Sequence, residues 1–178
     1  AYGQTKAAAL AAVQALAQLA ADQTNLAFSN SQIAARVRLV YTGEVAYDES
    51  GNFGTELDRL QNPSDGFMDE VHALRDQYGA DAVDLLISHT QGGTICGIAY
   101  LMTGGPDPAF EDSAFSVCNT GCVSGGLTYE HELGHNMGCH HDRDNAGGPG
   151  AFDYSYGYRF TGDDTILYRT IMSYAPGN

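Results

Sequence analysis

The stretch that decides the fold of this 178-residue chain is His131-Glu132-Leu133-Gly134-His135-Asn136-Met137-Gly138-Cys139-His140-His141. On an α-helix, His131 and His135 lie one turn apart on one face, so both imidazoles can reach a single metal ion. Glu132 points about 100° round the helix from His131, too far to complete the ligand set but close to water at the metal. The spacing therefore separates two candidate ligands from a candidate general base.

A third histidine completes the pattern. Gly138 follows three residues after His135, where the chain must leave the helix sharply and a positive φ is easily accommodated. The chain can then turn back and bring His141 to the same ion. Three neutral imidazoles with a fourth position open for water are typical of catalytic zinc. The alternative, surface or core histidines without a metal, is disfavoured because the added Gly and His make a chance match much rarer.

Periodicity and turn signals on both sides of this stretch predict alternating helices and strands. The predicted helices are residues 5–21, 67–78 and 127–137, and Gly79 ends the second of them. The predicted strands are residues 36–41, 82–88, 94–101 and 115–117, with a turn at 91–93. Alternation of this kind indicates a layered α/β fold. Residues 138–178 lack sustained periodicity, which predicts a loop-rich lower part.

The composition is that of one globular domain, since 178 residues are too few for two full-sized cores. The formal net charge of -14 opposes phosphate backbones and anionic lipids, so we expect neither nucleic acid nor a membrane as partner. No run reaches membrane-spanning length, and the start lacks the apolar core of a signal peptide. The chain begins without Met, which fits a mature form whose signal and inhibitory pro-segments were removed, or a partial sequence. We expect a secreted monomer.

The four cysteines, Cys96, Cys118, Cys122 and Cys139, form an even set that allows three pairings. A secreted context favours two disulfides. The alternative is a thiolate metal site, but Cys118 and Cys122 are separated by a gap that is a weak zinc signal.

A methionine downstream of the histidines strengthens the pattern. The run Thr170-Ile171-Met172-Ser173-Tyr174 places Met172 in a compact turn, where on its own it would be a core residue. Together the two segments resemble the metzincin clan of zinc peptidases, whose Met-turn forms a hydrophobic floor beneath the three ligands. The resemblance implies a mixed, twisted five-stranded sheet with long helices and an active-site helix. It also implies one domain over 1–178, with an upper part of about 1–138 and a lower part of about 139–178.

Within the clan the residues are mixed. Asp142 resembles the adamalysin or reprolysin pattern, whereas Tyr174 resembles the astacin and serralysin pattern. A closer similarity is to bacterial reprolysin-like enzymes, including peptidyl-Asp metalloendopeptidases, in CGIAYL, HELGHNMG followed by HHD, YGYRF and YRTIMSY. The resemblance implies a secreted zinc endopeptidase that cleaves protein or peptide substrates, with Glu132 acting first as base and then as acid.

The same resemblance assigns roles to other residues. Tyr174 would reach the zinc or hydrogen-bond the oxyanion, or else be a buried structural side chain. Asp142 would anchor the lower part. Residues 94–100, including Gly97 and Ile98, would form an edge strand that pairs with substrate, or alternatively an interior strand.

Two further predictions concern substrate specificity and a calcium site. A preference for Asp after the scissile bond would need a cation, for which Arg159 and Arg169 are candidates, although each could instead form a surface salt bridge. A partial match to a calcium-binding loop includes Asp142, Asp144, Ala146, Gly147 and Asp153. The match is weakened by Ala at the fifth position and by Asp rather than Glu at the twelfth. The remaining histidines, His72, His89 and His140, are not expected to be ligands.

The resemblance also implies that Cys96 pairs with Cys122, which leaves Cys118 for Cys139. The second bridge would pin the loop to the end of the zinc helix. Two other functions stay open: a zinc-bearing binding module without turnover, and a zinc amidase or exopeptidase. The first is disfavoured because every ligand and Glu132 are present, and the second because no feature grips a substrate terminus.

Overall fold

The computed structural model describes residues 5–88 and 95–177. Its helices are α1 (Lys6–Asn30), α2 (Phe53–Gln61), α3 (Glu70–Tyr78), α4 (Thr120–Gly126) and α5 (Thr128–Asn136), with a 3₁₀ helix at Pro108–Ser113. Its strands are β1 (Val83–Ile87), β2 (Gly97–Ala99), β3 (Phe115–Asn119), β4 (Arg159–Thr161) and β5 (Leu167–Arg169).

A small mixed sheet forms the centre of the upper part. Its strand order is β1-β3-β2, with β1 parallel and β2 antiparallel to β3. Among the described residues β2 lies at one edge of the sheet, as the resemblance implied for residues 94–100, of which 95–100 are described. The sheet of the described residues has three strands, and β4 and β5 form a separate antiparallel pair, so the five-stranded sheet expected from the resemblance is not observed.

The predicted strand at residues 36–41 is wrong, because that segment runs without regular structure. The Asn25 side chain of α1 donates to the carbonyl of Val37 and accepts from its amide, both at 2.8 Å. A helix side chain thus satisfies backbone groups that a neighbouring strand would otherwise pair. Leu39 and Tyr41 remain partly exposed rather than lining one buried face.

Helices cover both faces of the sheet, which follows from the alternation along β3. Phe115 and Val117 face one side and pack with Leu57 and Leu60 of α2. Cys118 faces the other side and packs with Ala20 of α1 and with α4. Both faces of β3 are buried, so the two helical layers are built on this strand. Nowhere in the described ranges is a helix both long and apolar enough to cross a membrane.

Two helices were not predicted, and another is longer than predicted. Helix α2 is capped by Asn52, whose side chain accepts from the Thr55 amide, and the helix buries Phe53, Leu57 and Leu60 along one face. Helix α4 contains three glycines, which conceal it from propensity. The first helix runs to Asn30 rather than residue 21. Helix α3 begins at Glu70 rather than 67 and ends where predicted, with Gly79 at φ 60°.

One disulfide links the sheet to the second helical layer. It joins Cys96, directly before β2, to Cys122 of α4, the pairing that the resemblance implied. Cys118 and Cys139 are free, so the second predicted bridge is absent. The Cys118 thiol lies on the α1 side of β3, and its burial, followed by the charge of the Asp84 carboxylate, raises the thiol pKa. Cys139 instead continues the end of α5, where its amide donates to the Gly134 carbonyl at 2.8 Å.

Candidate metal centre

Helix α5 presents the first two histidines, and its end redirects the chain towards the third. The Gly138 and Cys139 amides donate to the carbonyls of His135 and Gly134 at 2.9 and 2.8 Å, and Gly138 has φ 86°. A Cβ at Gly138 would also overlap Ala151. Only glycine suits both the left-handed backbone and the close approach, as the sequence predicted. The returning chain then bonds across to Ser155 through the amide of His140, at 2.8 Å.

Three imidazole nitrogens converge at one point. The Nε2 atom of His141 lies 3.1 Å from that of His131 and 3.1 Å from that of His135. Tetrahedral zinc with bonds of about 2.0–2.1 Å would separate its ligand nitrogens by about 3.3 Å. The spacing therefore fits a metal of this size, and among the described residues no other group of three His, Cys, Asp or Glu side chains could hold an ion.

The hydrogen bonds of two rings favour a metal at this point. His131 Nδ1 lies 2.9 Å from the Ile171 carbonyl, and His135 Nδ1 lies 2.8 Å from the Cys139 carbonyl. A carbonyl oxygen only accepts, so each Nδ1 carries the proton and each neutral ring has a lone pair at Nε2. Lone pairs that face each other at this distance repel unless a cation lies between them. The donor set therefore fits a zinc ion.

Burial keeps these rings neutral. Desolvation lowers the pKa of His131, and it lowers those of His135 and His141 to about 4, with the neighbouring histidines contributing in the same direction. A metal-binding imidazole must be unprotonated, so the rings are in the required form at neutral pH.

Glu132 lies between the zinc helix and the edge strand. It is buried at 5% exposure, and a Cβ added to Gly97 would lie 2.6 Å from its Oε1 and 2.8 Å from its Cγ. Gly97 therefore leaves the space that the Glu132 side chain occupies. Burial, and secondarily the charge of Asp84, raise the pKa of Glu132 to about 8.

Asp84 was not singled out by the sequence, although a carboxylate inside the apolar run of β1 is the signal that could have found it. Its Oδ1 accepts from the Ser116 hydroxyl across the strand pair at 2.6 Å. The residue as a whole is only half-buried, but burial of its carboxyl raises the pKa of Asp84 to about 6.

Tyr174 reaches the same point as the histidines. Its Oη lies 3.1 Å from His141 Nε2, and the two ring centroids are 4.3 Å apart. The side chain is 46% exposed, so the alternative of a buried structural tyrosine is wrong. The phenol is thus beside the converging nitrogens and open to solvent.

Met172 lies against the underside of the zinc helix. It is 8% exposed, and a Cβ at Gly134 would overlap its sulfur. The adjacent Ile171 carbonyl bonds His131, and the Ser173 amide closes the turn on Thr170 at 3.0 Å. The turn therefore touches both the helix and one of the histidines.

The two candidate arginines have different surroundings. Arg159 forms ion pairs with Asp142 at 2.9 Å and Asp144 at 3.1 Å. Arg169 is exposed and donates only to main-chain carbonyls, those of Ser173 at 2.7 Å and Gly177 at 2.9 Å. In the part of the chain that the structure describes, it has no carboxylate partner. The Ser173 carbonyl belongs to the same turn as the Ile171 carbonyl that contacts His131, so Arg169 lies near the metal centre.

Strand β2 has main-chain groups on the side that faces away from β3, where no other described strand pairs with it. The Cys96 carbonyl accepts from the Asn119 amide at 2.8 Å, and the Tyr100 amide donates to Phe115 at 3.4 Å. Because inward and outward residues alternate, Gly97 and Ala99 point their main-chain groups away from β3. Ile98 pairs with Val117 and packs on the core, so its main-chain groups are directed towards β3. The residues whose main-chain groups could pair with a substrate are therefore Gly97 and Ala99, and not Gly97 and Ile98 as predicted.

The remaining predicted residues lie elsewhere. His72 Nε2 lies 3.1 Å from the Leu60 carbonyl, and His140 Nδ1 accepts the His141 amide at 2.7 Å, so neither ring joins the cluster. His89, residues 91–93 and Thr94 lie outside the described residues. Asp142 and Asp144, which began the partial calcium loop, are held by Arg159.

Known proteins are similar to this chain over most of its length. The reprolysin-type family described as Metallo-peptidase family M12 matches residues 1–178. A peptidyl-Asp metalloendopeptidase of Stenotrophomonas maltophilia (strain R551-3) is 35% identical over 162 residues, which cover 91% of this chain and 37% of that protein. One from Xanthomonas campestris pv. campestris is 31% identical over 163 residues, 92% of this chain and 36% of that protein. The chain thus spans about 37% of the length of such relatives.

Proposed function

Because the chain belongs to metallopeptidase family M12, we propose that it is a zinc-dependent endopeptidase whose metal is held by His131, His135 and His141. The observation that carries the proposal is the convergence of the three Nε2 atoms, with Glu132 buried beside them. Three protein ligands leave the fourth coordination position of a tetrahedral zinc for water, as catalytic zinc requires.

The chemistry is divided between the metal and the protein. Bound zinc would supply Lewis acidity, which lowers the pKa of water and polarises the peptide carbonyl. The Glu132 carboxylate accepts a proton from the attacking water and returns it to the leaving nitrogen. Burial, with a smaller contribution from the charge of Asp84, raises the pKa of Glu132 to about 8, and a nearby dication opposes that effect and favours the carboxylate. Met172 supports the helix from below through its contact with Gly134.

Tyr174 is assigned to the transition state. Its hydroxyl, 3.1 Å from His141 Nε2, is placed to donate to the carbonyl oxygen as negative charge develops there. Burial and the charge of Glu132 raise its pKa, so the phenol keeps the proton that it donates.

Substrate binds along the edge strand. An extended peptide pairs with the outward main-chain groups of Gly97 and Ala99, as in other cases of strand addition. Since Gly97 also touches Glu132, such a peptide passes directly beside the proposed base.

Arg169 is the proposed determinant of an Asp preference after the scissile bond. The relatives are named for action at peptidyl-Asp, and recognition of that carboxylate needs a cation without a carboxylate of its own. Among the described residues Arg169 meets this condition, whereas Arg159 is neutralised by Asp142 and Asp144.

The wider assignments extend the same proposal. We propose one catalytic domain over 1–178, divided near residue 138, that acts outside the cell as a monomer once an inhibitory pro-segment is removed. The acidic charge and the Cys96–Cys122 disulfide support an extracellular location, because disulfides persist in oxidising compartments. Calcium at the Asp142 loop is not part of the proposal, because Arg159 occupies its carboxylates.

The test uses zinc-loaded protein and matched peptides that carry Asp or Leu after one scissile bond. We expect internal cleavage that a zinc chelator abolishes and added zinc restores, with faster cleavage before Asp. Glu132→Gln is expected to keep one zinc per chain and lose activity, while Glu70→Gln, the same change at an exposed site, keeps both. Zinc binding without turnover in the wild type would identify a binding module instead, and substantial activity in Glu132→Gln would remove its role as base.

A further inference from the structure

The guanidinium of Arg159 occupies a junction between three parts of the lower chain. Its Nη2 pairs with Asp142 Oδ1 at 2.9 Å, its Nη1 with Asp144 Oδ2 at 3.1 Å, and its Nε donates to the Tyr174 carbonyl at 3.0 Å. The Arg159 side chain is 19% exposed and that of Asp142 only 5%, so this pair is shielded from solvent. The Asp144 side chain is 84% exposed, which makes its ion pair the weaker of the two.

Tyr174 is held from both sides by this ion pair. Asp142 Oδ2 accepts the Tyr174 amide at 3.0 Å, while Arg159 Nε donates to the Tyr174 carbonyl. The two gripping side chains are bonded to each other, so together they form a closed clamp around one residue. Asp142 directly follows His141, so the clamp is also tied to a metal ligand.

We propose that Arg159 is a positioning residue that fixes Tyr174 with its hydroxyl beside the metal centre. The inference rests on the proposed function, in which that hydroxyl acts on the substrate carbonyl. It gives Arg159 a role different from substrate recognition, because two carboxylates already neutralise its charge.

The geometry requires an arginine rather than any cation. Three nitrogens of one planar group point in fixed directions to two carboxylates and a carbonyl. A lysine ammonium is a point charge on a flexible stem and cannot reproduce the fork. Arg159→Lys therefore keeps the positive charge opposite Asp142 while loosening the hold on the Tyr174 carbonyl.

The kinetic test is a double-mutant cycle in zinc-loaded protein. We expect Arg159→Lys to lower kcat about tenfold while KM and zinc content stay unchanged, because a displaced hydroxyl loses its alignment. In a Tyr174→Phe background the same change should lower kcat less than about twofold, since the group being positioned is absent. The matched control is Arg143→Lys, a nearby arginine that contacts the Asp153 carbonyl and the Tyr156 ring.

A second readout does not depend on turnover. Amide hydrogen exchange at Tyr174, followed by NMR with and without zinc, should accelerate at least about tenfold in Arg159→Lys and stay unchanged in Arg143→Lys. Arg159→Gln, which keeps a donor without the charge, serves if the Lys variant does not fold. Unchanged exchange overturns the clamp, and an equal loss of kcat in both tyrosine backgrounds overturns the action through Tyr174. If the wild type shows no proteolysis, the proposed function fails, while the exchange data still decide whether the clamp exists.

Discussion

Asp84→Asn should change how the stability of the domain depends on pH. Desolvation raises the Asp84 pKa from 3.8 to about 6 in the folded state. The folded protein therefore holds this proton over a range in which the unfolded chain has released it. For an acid with a raised folded pKa, stability is fully present below the unfolded value and is lost as pH rises through the folded value.

The size of the effect follows from the shift. About 2 pKa units at 1.36 kcal/mol each correspond to about 3 kcal/mol of stability lost across the window. About 2 kcal/mol of this loss falls between about pH 4.5 and about pH 7.5, where the protein can be handled. Asparagine does not titrate, so the variant lacks this term. It retains an acceptor for the Ser116 hydroxyl, and any misfit of its amide adds an offset that does not vary with pH.

The assay is urea unfolding of zinc-saturated wild type and Asp84→Asn at both ends of this range. The free energy of unfolding of the variant minus that of the wild type should rise by about 2 kcal/mol towards neutral pH. Linked zinc release and histidine protonation are common to both proteins and cancel in the difference. Repeating the comparison in the Glu132→Gln background removes the titration of Glu132, whose pKa Asp84 also raises. Asp76→Asn, which removes the same charge from an exposed position on α3, corrects for net charge. A difference that stays constant with pH would refute the argument that desolvation favours the protonated Asp84.

Three further substitutions test the metal centre. Gly97→Ala should lower kcat by about 10- to 100-fold with zinc affinity unchanged, because the new Cβ displaces the Glu132 carboxylate. Peptide kinetics measure kcat and chelator competition measures zinc affinity. A normal kcat would contradict the close packing of Gly97 against Glu132. Gly134→Ala should cost about 1–3 kcal/mol in urea unfolding by forcing Met172 aside, with Met172→Ala restoring part of it. Arg169→Gln should reduce the preference for Asp over Leu at least about tenfold, measured as a ratio of kcat/KM values, while Arg143→Gln leaves it intact; an unchanged ratio would exclude Arg169.

The metal centre was largely predictable because its geometry is local. One helical turn fixes the relation of His131 to His135, and Gly138 must take a conformation that returns the chain. The end of a helix could likewise be predicted where a strong local signal marks it, as Gly79 does for α3. Structure that depends on residues a few positions apart could therefore be predicted from the sequence.

Other features depended on contacts between distant residues. Val37 lies in an alternating run typical of a strand, but Asn25 binds both of its main-chain groups. The resemblance implied that Cys118 pairs with Cys139, yet β3 directs the Cys118 thiol towards Asp84. Arg159 and Arg169 are alike in the sequence, and the surrounding carboxylates distinguish them only once the chain is folded.

The Cys96–Cys122 bridge affects what happens to the domain when a protease cleaves its backbone. The bridged cysteines are 26 positions apart, and the chain between them contains β2, β3 and the exposed 3₁₀ helix at Pro108–Ser113. A backbone cut in that exposed stretch leaves two pieces that stay covalently joined through sulfur. Strand β2 would still be tethered to the helix that leads into α5. Cleavage at the 3₁₀ helix therefore does not release either fragment from the protein.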